Sequence, residues 1–220
     1  MGQKGTAIDL PPGPGRSSAL MLSPRRPALP SRCKAVSVPV RVEVLRLGRV
    51  GPEVLEAVRE GLEEAYQGLV KAFTSDAVLD VPREAYDDRR YQYNSSIVLD
   101  FLRRSYRPEG DKLLAVTHVD LFVPRLNFVF GQAECPGRFA IISICRLRPE
   151  FYGEPPHRQL FLERCVKEAV HEIGHTFGLR HCPNRSCVMA FSNSIWDTDR
   201  KGTKPCDSCM RELRSLLGVG

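Results

Sequence analysis

The stretch HEIGHTFGLRHC, residues 171–182, places three histidines, a glutamate and a cysteine within a dozen positions. His171 and His175 stand at i and i+4, so on a helix their imidazoles project from one face. One face can supply two ligands to a single ion. Glu172 lies about 100° further around the helix, where it can reach a water on that ion rather than the ion itself. The pattern H-E-x-x-H therefore pairs two ligands with a general base. Gly178 lets the chain turn sharply out of the helix, and His181 can swing back as a third ligand. Three imidazoles leave the fourth tetrahedral position of a zinc ion for water.

The cysteine that ends this stretch opens a second set. Cys182 and Cys187 form one close pair, and Cys206 and Cys209 form another. Two close pairs joined by a longer link are the usual form of a tetrahedral Cys₄ zinc site, which is closed and hence structural. The segments CPNRSC and CDSC are polar and turn-rich, where buried apolar cysteines are not expected. Cys33, Cys135, Cys145 and Cys165 are scattered and read as small buried apolar residues. His181 and Cys182 are consecutive with diverging side chains, so the two ions would be neighbours without a bridging ligand. His118 and His157 lack such partners and read as a strand residue and a pre-helix loop residue.

Elsewhere the pattern alternates between strand and helix. Residues 34–48 alternate apolar and other residues with period two, a strand signal. Gly51 and Pro52 suit the start of a helix over 51–73, with Val54, Leu55, Val58, Leu62, Tyr66, Leu69, Val70 and Phe73 at helical spacing. A short strand near 77–81, a charged loop over 83–93 and a capped helix over 94–106 follow. Three strands are expected at 113–123, 127–134 and 138–148. A long helix over 158–177 carries the histidines, with Phe161, Cys165, Ala169 and Ile173 as its apolar stripe. A final short helix runs from near Cys206 to Gly218. Residues 1–35 hold six prolines and read as a disordered leader.

The net charge of +6 is spread along the chain, which suits a solvated surface better than a nucleic-acid groove. No apolar run is long enough to span a membrane. The N-terminal ALML run is too short for a signal-peptide core. A cytoplasmic protein is expected, and there eight cysteines argue against a disulfide framework.

HEIGHTFGLRHC followed by CVM and CDSC resembles the archaemetzincins, a branch of the metzincin metallopeptidases. DLFVPRLNFVFGQAE and AIISICRLRPEFYG extend the resemblance upstream, to about residue 36. It implies an α/β (α+β) fold: a mixed twisted sheet, a backing helix and an active-site helix over 36–178, then a small zinc-stabilised part with a final helix over 179–220. It implies two zinc ions per chain. His171, His175 and His181 would bind the catalytic one, with Glu172 as general base. Cys182, Cys187, Cys206 and Cys209 would bind the structural one. Met189 would be the methionine of the Met-turn, an apolar floor beneath the histidines. Several metzincins carry a tyrosine two residues after that methionine. Phe191 stands here instead, so an oxyanion donor falls to Asn193 or a backbone N–H.

The expected activity is hydrolysis of peptide bonds in a peptide or protein substrate, through a water activated by Glu172. The substrate would add as a strand to a sheet edge, for which NFVFGQAE with Gly131 is the choice. A monomer is expected. The alternatives are a zinc-stabilised peptide-binding module without strong activity and, further off, a nucleic-acid-binding zinc protein.

Overall fold

The computed structural model describes residues 39–219; the expected leader over 1–35 lies outside them. β1 (Val40–Leu47), β2 (Val70–Leu79), β5 (Lys112–Thr117), β7 (Gly131–Ala133) and β8 (Phe139–Ser143) form one sheet in the order β2-β1-β5-β8-β7. All neighbours pair parallel except β7, which runs antiparallel to β8 at one edge. The two short strands β3 (Tyr86–Asp87) and β4 (Gln92–Asn94) form a second, small sheet with β6 (Leu121–Phe122).

The large sheet is buried on both faces, as parallel sheets generally are. Val40, Val42, Val44, Leu114, Val116 and Ile142 face α1 (Pro52–Tyr66) and α3 (Arg158–Phe177). Leu45, Leu47, Leu113, Ala115 and Ile141 face α2 (Ser95–Ser105). α2 starts where expected, with the Asn94 side chain accepting from Ser96 N at 3.0 Å. Two further helices close the chain, α4 (Ile195–Arg200) and α5 (Asp207–Leu217). Val188, Met189, Leu213 and Leu217 join the same core as α3. No helix among the described residues is long and apolar enough to cross a membrane.

Several boundaries differ from the sequence expectation. The helix expected over 51–73 stops at Tyr66, because Gln67 and Gly68 take left-handed φ values of 47° and 82°. Val70 and Ala72 then begin β2 with period-two burial, well before the strand expected near 77–81. The stretch 113–123 divides, and β6 leaves for the small sheet. Within 127–134 only Gly131–Ala133 is strand, and within 138–148 the chain turns into 3₁₀ helix after Ser143. The charged loop over 83–93 contains the β3–β4 pair. α4 is an additional helix between the two expected at 158–177 and from near Cys206 to Gly218, and a capping box between Ser194 and Asp197 holds it.

Candidate active site

α3 carries the histidine motif along its last turns. Gly178 ends it at φ 107°, donating to Gly174 O and His175 O, a left-handed cap that glycine adopts without steric cost. The turn aims Leu179 O at His175 Nδ1, 2.7 Å away. His171 Nδ1 meets Val188 O at 2.8 Å. Both Nδ1 atoms thus donate to carbonyls, which fixes the tautomer and leaves both Nε2 lone pairs free. Those two Nε2 atoms face each other 3.1 Å apart. With no proton between them the lone pairs repel, and a cation relieves that repulsion. His181 completes the group, one ligand atom from each residue lying within 4.8 Å of the others. At a Zn–N distance of about 2.0–2.1 Å, tetrahedral ligands stand roughly 3.3 Å apart, so the donor set fits zinc.

Cys182, Cys187, Cys206 and Cys209 also converge within 4.8 Å. Cys182 Sγ and Cys206 Sγ are 3.8 Å apart, as are Cys187 Sγ and Cys209 Sγ. This is far beyond the roughly 2.05 Å of a disulfide. It matches the ~3.8 Å edge of a tetrahedron with Zn–S near 2.3 Å. The two sets share a backbone strap. Val188 O accepts from His171, while Met189 O accepts from Cys182 N at 2.9 Å. Met189 itself is fully buried below the histidines.

The histidines open into a cleft of about 430 Å³ that Glu172, Phe191 and Asn193 also line. Its other wall is the segment from Arg125 to Ala133, so the expected edge strand does border the cleft. Gly131 lies so close to Glu172 that a Cβ on it would stand 2.7 Å from Oε1. Arg90 Nη2 donates to Leu126 O and Asn127 O at 2.8 and 2.9 Å, bracing that wall. Phe191 tilts against His181 with ring centroids 5.0 Å apart. His118 and His157 are elsewhere: His118 Nδ1 accepts from Arg49 N at 3.1 Å, and His157 caps α3 through Leu160 N at 3.2 Å.

Residues 53–215 match the family described as peptidase family M54. The chain belongs to peptidase family M54. The archaemetzincin of Methanocaldococcus jannaschii is 42% identical over 175 residues, which cover 80% of this chain and 93% of that one. The archaemetzincin of Pyrococcus furiosus is 44% identical over 182 residues, 80% of this chain and 94% of that one. The crystal structure of the Methanopyrus kandleri archaemetzincin aligns with a TM-score of 0.72 at 40% identity, over 81% of this chain and 96% of that one. The M54 chain is accordingly a zinc metallopeptidase, a hydrolase whose substrate class is peptide or protein.

In this M54 peptidase burial keeps the imidazoles of the cleft in the neutral form that metal ligation requires. Burial holds His171 well below the ordinary imidazole range, with the Lys201 charge adding to it. Burial also lowers His175 and His181, so all three are neutral donors. Burial, then the nearby Glu168 charge, pushes the Glu172 carboxyl well above the usual carboxylate range. In the cysteine set the Cys209 backbone N–H first of all brings Cys206 down to about 7, while burial raises Cys187 and Cys209.

Residues outside the motif also shape this M54 site. Lys201 Nζ pairs with Glu168 Oε1 at 3.0 Å, with side chains 1% and 3% exposed. Thr198 Oγ1 donates to the same oxygen at 3.0 Å. Arg164 forks onto Asp199 with two 2.7 Å bonds. These contacts bolt α4 to the back of α3. Sequence reasoning passed over them because a charged helix face ordinarily faces water. The buried glycine Gly174 was missed too. Its signal was available, since glycine inside a helix costs roughly 1 kcal/mol against alanine and needs a packing reason.

Proposed function

We propose that His171, His175 and His181 hold the zinc of this metallopeptidase, and that Glu172 is its general base. The observation that carries this reading is the commitment of both Nδ1 atoms to backbone carbonyls, which turns two Nε2 lone pairs toward one point 3.1 Å across. Zinc held at that point would supply Lewis acidity toward water and toward the scissile carbonyl. Glu172 takes the proton of the attacking water and returns it to the leaving amine. Burial makes the Glu172 carboxylate the stronger proton acceptor, and the positive charge of a bound zinc beside it would favour the ionised form that this role needs. The peptide lies along β7, whose outward edge has no strand partner among the described residues. Asn193 lines the cleft beside Phe191 and is the side chain placed to donate to the developing oxyanion. Cys182, Cys187, Cys206 and Cys209 hold a second, structural zinc.

Two measurements test this. Metal analysis of the purified protein should return two zinc ions per chain, one of them lost first to a chelator together with peptide hydrolysis. Glu172→Gln should keep both ions and abolish turnover of a peptide library. A fully active variant refutes the base assignment. A wild-type protein that binds peptides yet never cleaves them supports the binding-module alternative instead.

A further inference from the structure

A second cavity of about 230 Å³ adjoins the cleft and shares two of its walls, Phe191 and Asn193. Its other lining residues include Arg185, Asp197 and Arg200. The cavity begins one aromatic ring beyond His181, since Phe191 packs directly on that imidazole. Two guanidiniums face a single carboxylate there, and that carboxylate is already engaged. Asp197 Oδ2 accepts from Ser194 Oγ at 2.8 Å, Ser194 N at 3.1 Å and Asn193 N at 3.2 Å. Arg200 reaches Asp197 only at 3.8 Å, the outer limit of an ion pair. Arg185 has no carboxylate partner among the described residues. The cavity therefore offers uncommitted N–H donors, in a fork that suits carboxylate geometry, next to an aromatic wall.

We propose that Arg185 and Arg200 form a carboxylate-binding subsite continuous with the cleft, which selects peptides bearing an acidic side chain close to the scissile bond on the His181 side. The assignment rests on the cleft being the peptide site. An extended peptide advances about 3.3 Å per residue, so a residue next to the cleaved bond reaches past Phe191. The ring covers the methylenes of a glutamate while the arginines take its carboxylate. The neutral remainder of the peptide gains nothing there, so the subsite sets selectivity rather than chemistry.

The test uses full-length, zinc-loaded protein carrying Glu172→Gln, so that bound peptide is not consumed. A glutamate is scanned through a neutral fluorescent heptapeptide, each position paired with a glutamine control, and binding is read by anisotropy. One register should prefer glutamate about three- to fivefold, the scale of one charge-assisted pair at an exposed site, and the preference should shrink with added salt. Arg185→Gln with Arg200→Gln should bring the ratio to about one. The double lysine variant should keep part of it, and the double glutamate variant should favour lysine peptides. Both arginines are exposed, so these variants fold. Equal binding of glutamate and glutamine peptides in every register overturns the subsite alone, as does a preference that survives the double glutamine variant. Failure to bind any peptide overturns the cleft assignment and the subsite with it.

Discussion

Gly174 and Met189 meet across the floor of the cleft. A methyl group built on Gly174 would overlap Met189 Sδ and stand 2.9 Å from its Cε, with Tyr66 Oη at 3.1 Å. Met189 is fully buried and Tyr66 is held by its bond to Val170 O at 2.6 Å. Neither has room to retreat. Gly174→Ala should therefore lower stability by about 1–3 kcal/mol as an overpacked core does, although alanine favours a helix interior. Thermal unfolding followed by far-UV circular dichroism measures this, and an unchanged or higher midpoint refutes the tight contact.

Gly131 makes the same kind of approach to Glu172. A Cβ there would meet Cγ at 2.6 Å and Oε1 at 2.7 Å, so Gly131→Ala must displace the carboxylate. The expected result is a fall in kcat on the order of a hundredfold, the scale of an ångström of misplacement, with zinc content retained. Normal kcat in a zinc-replete variant would show that the carboxylate acts from another position.

The Lys201–Glu168 pair is almost wholly buried. Lys201→Met leaves an uncompensated carboxylate one helical turn before Glu172 and should cost about 3–5 kcal/mol. Adding Glu168→Gln removes that charge and should recover most of the loss. Urea unfolding of the two single variants and the double variant completes the cycle. Additive losses would mean that the two side chains do not interact.

Metal-free Glu172→Gln protein should lose stability as the pH falls from about 7.5 to about 5.5. His171 and His175 have lowered folded-state values, so they stay neutral where the unfolded chain takes up protons near its ordinary value of about 6.5. The unfolded state then binds more protons, and stability falls as the pH drops through that value. Glu172 opposes this. Its raised carboxyl holds a proton in the folded chain at any pH between its own value and the unfolded value of about 4.3. Over this range the carboxyl offsets most of the imidazole contribution, so the wild-type profile should be the flatter of the two. Urea midpoints of the two chelator-treated proteins should fall more steeply with Glu172→Gln than with the wild type. A flat Glu172→Gln profile would mean the imidazoles are solvated in the metal-free fold.

The parts of this chain that could be read in advance depend on local geometry. The span of α3, its stop at Gly178 and the grouping of histidines at i and i+4 follow from helical periodicity and a left-handed cap. The end of α1 was hidden because Leu69, Val70 and Phe73 satisfy a helical period by chance, while the break is made by the backbone of Gln67 and Gly68. The polar back of α3 was hidden for another reason. Arg164 and Glu168 look solvent-facing until Asp199 and Lys201 arrive from more than thirty residues away. The close approaches of Gly131 and Gly174 are likewise set by what other elements bring beside them.

The strap formed by Val188 and Met189 has a consequence for how the peptidase matures. One of its carbonyls orients a histidine, and the next accepts from the backbone of a cysteine. Whatever orders the strap for one cluster orders it for the other, so part of the entropy of arranging the second cluster is spent when the first closes. By linkage the help is mutual and equal in both directions. On the proposed assignment of one zinc ion to each cluster, filling either one would therefore favour filling the other.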